Sequence, residues 1–224
     1  MSDQIRNIEE KLYAARERLQ KAAEALAPKH KGGEWEEFWR TSDAALALER
    51  ELAIAKGEQY AIPLDFPVEW DTGAPLPHLF RSDCQTLLSF YVRDPDPNWD
   101  GTYVNIKSPG NGSENLLALV EFEGCVSAKL GSPNEEIFQG HPLHGRGLES
   151  YTAQEVKNSI WLAELEAINK AHEHYDPERW VDQKHFVFWF HDSTFECVAS
   201  GFTVNVYRET MAALLERVCH RLLR

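Results

Sequence analysis

The stretch His185-Phe186-Val187-Phe188-Trp189-Phe190-His191-Asp192-Ser193-Thr194-Phe195-Glu196-Cys197-Val198-Ala199-Ser200 decides the fold class. Two β-prone runs, 185–191 and 194–200, meet at Asp192-Ser193 and predict an antiparallel hairpin. Strand alternation sorts its side chains into two faces. Phe186, Phe188, Phe190, Phe195, Cys197 and Ala199 form an aromatic core face. His185, Val187, Trp189, His191, Thr194, Glu196 and Val198 form the other. With Asp192 and Ser193 as the turn residues, Trp189 stands opposite Glu196 and His191 opposite Thr194.

Outward from the hairpin, the pattern stays antiparallel. Strands are expected at Thr86–Arg93, Thr102–Lys107, Leu116–Glu123, Cys125–Leu130 and Phe202–Val206. Turn stretches rich in Pro, Asp, Asn and Gly separate several of them, as in Asp94–Asn98 and Ser108–Gly112. A central helix is expected from Thr152, with Glu155 completing a capping box and Pro177 beyond its end. A last helix starts at Arg208 and turns Met211, Leu214, Leu215, Val218 and Leu222 inward.

The N-terminal region is different. Ile5, Ile8, Leu12, Ala15, Leu19, Ala22 and Leu26 alternate by three and four, the seam of a helix that packs on another helix. A second seam runs through Phe38, Thr41, Ala45, Leu48, Leu52 and Ala55, with Trp35 and Trp39 near its start. A short connector forces the two helices antiparallel. Such a pair buries too little by itself. It packs on the rest of the chain, on a partner, or on a second copy in a homodimer formed through these helices.

The expected architecture is therefore α+β. An antiparallel β-sheet core carries an N-terminal antiparallel helical hairpin, a central helix and a C-terminal helix. The chain divides into a helical hairpin (1–57), a proline-rich surface connector (58–79) and an α+β domain (80–224). In the connector, Leu64, Phe66, Val68 and Trp70 alternate and want burial.

Composition narrows the function classes. Lys and Arg number 23 against 36 Asp and Glu, a formal charge of −13. That surface repels phosphate backbones, so no nucleic-acid partner is expected, and it favours a basic protein partner. The same charge also serves plain solubility. Without an 18-residue apolar run or a secretory leader, no membrane partner is expected and a cytoplasmic location is. The four cysteines, Cys84, Cys125, Cys197 and Cys219, form no Cys-x-x-Cys pair and suit reduced thiols.

Two places can carry chemistry. On the hairpin's second face, Glu196 beside an indole can act as an acid or base, with His191 near. The Gly140–Gly147 loop, Gly140-His141-Pro142-Leu143-His144-Gly145-Arg146-Gly147, brings the backbone close to a ligand and offers Arg146 as an anion fork. His141 and His144 can ligate a metal, with Glu135 and Glu136 as added oxygens, although their spacing matches no zinc signature. His172 and His174 close the central helix and suit its C-terminal dipole. Cys197 faces the phenylalanines and is expected to be inert, whereas sequence leaves the geometry of Cys125 open. Ser193, beside His191 and Asp192, has no nucleophile-elbow pattern around it.

Three readings follow. The first is a protein-interaction or immunity-like binding module that meets a basic partner through its helices or its acidic surface. The second is a hydrolytic or metal-assisted enzyme using Glu196, His191 and Arg146, in which Glu196→Gln abolishes turnover without loss of folding. The third is a small-ligand sensor or carrier using the same pocket. No specific cofactor is implied.

Overall fold

A computed structural model of the chain describes residues 2–26, 33–71, 73–94 and 112–223. In chain order the elements are α1 (Ser2–Ala25), α2 (Gly33–Lys56), β1 (Tyr60–Pro63), β2 (His78–Arg81), β3 (Thr86–Tyr91), β4 (Asn115–Glu123) and β5 (Ser127–Gly131). There follow a 3-10 segment (Glu135–Gly140), β6 (Ala153–Lys157), α3 (Ile160–Asn169), α4 (Glu178–Val181), β7 (Lys184–Trp189), β8 (Thr194–Ala199), β9 (Gly201–Glu209) and α5 (Met211–Leu222). The fold is α+β, with antiparallel sheets ordered β1-β6-β7-β8-β5 and β2-β3-β4-β9. The strand expected at Thr102–Lys107 lies outside the described residues, as does most of the turn sequence around it.

The chain forms two compact units. One comprises the residues up to Ile62 with His141–Leu148 and Val156–Ile160; the other comprises Pro63–Gly140, Glu149–Glu155 and Trp161–Arg224. In the first unit α1 packs against α2. Of the expected seams, Ile8, Leu12, Ala15 and Ala22 of α1 and Thr41 and Ala45 of α2 are buried; towards the end of α2 the buried residue is Ala53, beside the expected Leu52, which is half-buried. Thr41, the polar break in the second seam, becomes a satisfied core residue because its hydroxyl bonds back to the Glu37 and Phe38 carbonyls, both at 2.9 Å. Arg16–Glu49 and Lys56–Glu9 pairs, at 2.8 and 2.7 Å, join the helices in the antiparallel sense.

In the second unit period-two alternation builds two cores from one sheet. Leu88 and Phe90 of β3, with Ala118, Val120 and Phe122 of β4, point to a cluster shared with Phe186, Phe188, Phe190, Phe195, Cys197 and Ala199. The expected aromatic face is thus the interior. The connector's Leu64, Phe66 and Val68 pack against it, and Trp70 is buried in it. On the opposite side, Leu87, Tyr91, Leu117 and Leu119 meet Met211, Leu214 and Val218 of α5. The last helix is capped by Thr210, whose hydroxyl accepts from Ala213 N at 3.1 Å.

Three local expectations are corrected. The helix expected from Thr152 begins at Ile160, because Ala153–Lys157 is strand β6. Ala153, Gln154 and Val156 are buried there, and the Thr152 hydroxyl serves Glu149 O (3.2 Å) instead of a capping box. Asn158, at φ +52, ends the strand before the helix can start. Within the proline-rich stretch, short strands β1 and β2 form where the prolines leave backbone donors available.

The third correction is the hairpin register. Trp189 pairs with Thr194, Val187 with Glu196 and His185 with Val198. Phe190 N donates to Ser193 O at 2.9 Å, so the chain turns at His191-Asp192, one residue earlier than expected. Moving the turn by one residue slips the pairing by two, which leaves both faces intact but changes every neighbour. The observed register gives the buried Glu196 cationic and hydrogen-bonding partners, which a carboxylate out of water requires.

Candidate functional site

The hairpin's second face is not an open wall. Val187, Trp189 and Val198 are fully buried, and His185, Thr194 and Glu196 nearly so. Phe138 from the 3-10 segment sets its ring edge against Trp189, with centroids 4.8 Å apart. Trp161, at the start of α3, sets its ring against His185 at 5.0 Å. Glu196 is held from two sides. His185 Nε2 lies 2.8 Å from one carboxylate oxygen, and Lys129 Nζ lies 2.8 Å from the other. Lys129 is the direct cross-strand neighbour of Glu196 on β5, and its ammonium also sits over the Trp161 ring at 4.7 Å. The histidine that meets Glu196 is therefore His185, six residues before the expected His191.

His191 takes part in a different cluster at the hairpin tip. Its Nδ1 lies 2.9 Å from Glu135 Oε1 and 3.0 Å from the Tyr151 hydroxyl. Tyr151 in turn donates a short hydrogen bond to Glu135. Tyr151 holds a left-handed backbone conformation, φ +58, and its ring stacks on the imidazole at 19°. The Glu135 amide donates to the His191 carbonyl at 3.1 Å, which ties the 3-10 segment to the hairpin turn. The Tyr151 hydroxyl, helped by His191 and opposed by partial burial, holds the Glu135 carboxyl below its ordinary range. Burial, then Glu135, pushes the Tyr151 phenol up, so it stays a donor. With the phenol proton directed to Glu135, the inventory of donors places the His191 hydrogen on Nδ1. Nε2, 3.8 Å from Asp192, is then the ring position that can accept a proton or hold a ligand. Glu135 was visible in sequence only as an added metal oxygen. No local signal linked it to Tyr151, since the three residues come from separate segments.

The linkage at Glu135 has a definite sign. A carboxyl depressed in the folded state contributes stability above its unfolded pKa and loses it as pH falls through the folded value. Glu135→Gln is accordingly expected to destabilise at neutral pH, with the gap to the parent closing as pH drops below about 4. Urea titrations across that range measure it; a gap that is constant with pH removes the assignment.

All of the Gly140–Gly147 loop but Gly140 belongs to the first unit, together with Leu148. Arg146 pairs with Glu58 at 2.8 Å and donates to the Pro142 carbonyl at 2.6 Å. His141 is buried, and its Nδ1 accepts from Leu143 N at 3.2 Å. His144 is exposed. Gly147 N donates to Glu49 (3.2 Å) and its carbonyl accepts from Arg50 (3.0 Å). These bonds fasten the loop to α2. Among the described residues, no group of three or more His, Cys, Asp or Glu side chains is arranged to hold a metal ion.

A feature that sequence placed only at the start of a seam stands out on α2. Trp35 and Trp39 are 41% and 58% exposed. Their rings stack with centroids 6.3 Å apart, and Phe38 sets its edge against both, at 6.1 and 5.2 Å. Glu36, Glu37 and Asp43 are exposed on the same turns. Arg40, on the same turns, pairs with Glu37 at 2.7 Å.

Among the described residues no helix is long and apolar enough to cross a membrane. No protein-family model, curated protein or solved structure matches this chain.

Proposed function

We propose that this chain is a binding module that engages a basic protein segment through the aromatic and acidic N-terminal half of α2. The exposed Trp35–Trp39 stack is the observation that carries this reading. Carboxylates at a helix N-terminus are explained by the helix dipole alone. Two large indoles that keep 41% and 58% of their surface exposed are not, because burying more of each in the chain's own core would be favourable. Indole faces attract ammonium and guanidinium groups, and the surrounding carboxylates raise that preference. The net charge of −13 acts in the same direction at longer range.

The test uses the full chain and a Lys/Arg-rich model peptide in isothermal titration calorimetry. Trp35→Ala/Trp39→Ala is expected to weaken binding by about tenfold or more, with the melting temperature little changed because both side chains are exposed. Raising the salt concentration weakens the parent complex. Equal affinity for parent and double variant, or binding indifferent to salt, overturns the reading.

A further inference from the structure

Trp180 has no place in the interior of the second unit. It sits on the four-residue helix α4, which buries none of its residues, and it belongs to neither buried cluster. Among the described residues no other aromatic ring packs on it. The indole is half-buried and lines two adjoining hollows, of about 500 and 300 Å³. Asn169 and Arg179 line both hollows as well. The larger one also takes in Gly124, whose φ of +55 reverses the chain between β4 and β5, and Ser200, between β8 and β9. All of these residues lie in the second unit. Together the hollows have the size of a small-molecule site.

The fold divides the polar groups around the indole into acceptors and donors. Asn169 Nδ2 donates to Leu165 O at 2.9 Å, and Gln183 Nε2 donates to Gly124 O at 3.3 Å. Each amide therefore keeps its carbonyl oxygen as an acceptor. Gln183 Oε1 is buried with no hydrogen-bond partner among the described residues, a state that costs free energy until a donor reaches it. Glu178 and Asp182 add exposed carboxylates. Arg179 supplies the donors. Its side chain is 85% exposed, and its Nε stands 3.7 Å from Asp176.

This mixture selects a ligand class. An anion is repelled by the carboxylates of Asp176, Glu178 and Asp182. An ammonium ion satisfies the acceptors but meets Arg179 as a like charge in both hollows. A hydroxyl donates and accepts at once, so neighbouring hydroxyls on one ring serve an amide or carboxylate oxygen and the guanidinium together. The C–H face of such a ring is apolar, and laying it on an indole removes both surfaces from water. We propose that the groove at Trp180 binds an uncharged oligosaccharide, one sugar ring lying on the indole and a second occupying the adjoining hollow. The site does not depend on the reading of Trp35 and Trp39.

Saturation-transfer difference NMR tests this with the full chain and four uncharged trisaccharides: maltotriose, cellotriose, mannotriose and triacetylchitotriose. Saturation is expected on the ring C–H protons of at least one, and titration of that sugar gives its affinity. Trp180→Ala is expected to weaken it by about tenfold or more, and Trp180→Phe, which keeps an aromatic face, by less. Arg179→Ala weakens binding with no fall in melting temperature, since the side chain is exposed; it keeps the test decisive if Trp180→Ala folds poorly. Added salt is expected to leave the affinity unchanged. The Trp35→Ala/Trp39→Ala variant binds the sugar as the parent does, so failure here and failure at α2 are told apart. Absence of saturation on all four sugars at millimolar concentration overturns the proposal. So does equal affinity in the parent, Trp180→Ala and Arg179→Ala, or displacement of the sugar by putrescine, which marks the groove as an amine site.

Discussion

Gly147→Ala is expected to destabilise the chain by about 3 kcal/mol, the sum of a strained backbone and a steric clash. Gly147 sits at φ +80, where a side chain is disfavoured. A Cβ there would lie 2.5 Å from Arg50 Cγ, 2.7 Å from its Nε and 2.8 Å from the Ala61 carbonyl. None of these can yield cheaply. The Ala61 oxygen is backbone, and Arg50 is held by bonds to Ala61 O and Gly147 O at 2.9 and 3.0 Å. Displacing Arg50 also disturbs its neighbour Glu49, which accepts from Gly147 N and pairs with Arg16. Gly140→Ala in the same loop is the control. Its Cβ meets open space, so a change within about 0.5 kcal/mol is expected. Urea unfolding of both variants decides the matter. If the two are equally stable, the loop is not the fastening described, and its glycines are better explained by ligand approach.

Glu196→Ala is expected to cost about 3 kcal/mol as well, for a different reason. The carboxylate side chain is only 9% exposed and His185 only 4%. Truncation leaves a buried imidazole without its 2.8 Å partner and takes the anion away from Lys129. That cost measures the uncompensated groups, not the net worth of the pair. Glu196→Gln keeps the shape and a hydrogen-bonding oxygen near His185, so a loss of about 1 kcal/mol is expected. Lys129→Ala should also be mild, since the lysine side chain is 58% exposed. The ordering Ala, then Gln, is the readout in denaturant titrations. A Glu196→Ala protein as stable as the parent would remove the buried network. Stability measured this way also separates a folding role of Glu196 from the acid–base role that strand alternation suggested.

Much of the fold was legible because local periodicity carries it. The seam of α1 is written at three- and four-residue spacing, and Ile8, Leu12, Ala15 and Ala22 are buried as that spacing requires. The alternation Phe186, Phe188, Phe190 identified the interior face of β7 without knowledge of its neighbours. The stretch after Thr152 misled because a hydroxyl three residues before a carboxylate resembles a helix start. Two flanking strands claimed its backbone instead, and a five-residue segment carries too little propensity to resist tertiary pairing.

Side-chain neighbours were less accessible. Sequence by itself determined which faces of the hairpin are apolar, the seam that joins the two helices, and the α+β class. Each is a one-dimensional repeat imposed by backbone geometry. Only the tertiary structure decided that Glu196 meets His185 and Lys129, that His191 meets Glu135 and Tyr151, and that Trp35 and Trp39 stay partly exposed. Those contacts depend on a turn displaced by a single residue and on segments far apart in the chain. Apolar faces survive such a displacement because period two is unchanged by a slip of two. Pairwise chemistry does not, because it needs particular atoms within about 3 Å of each other.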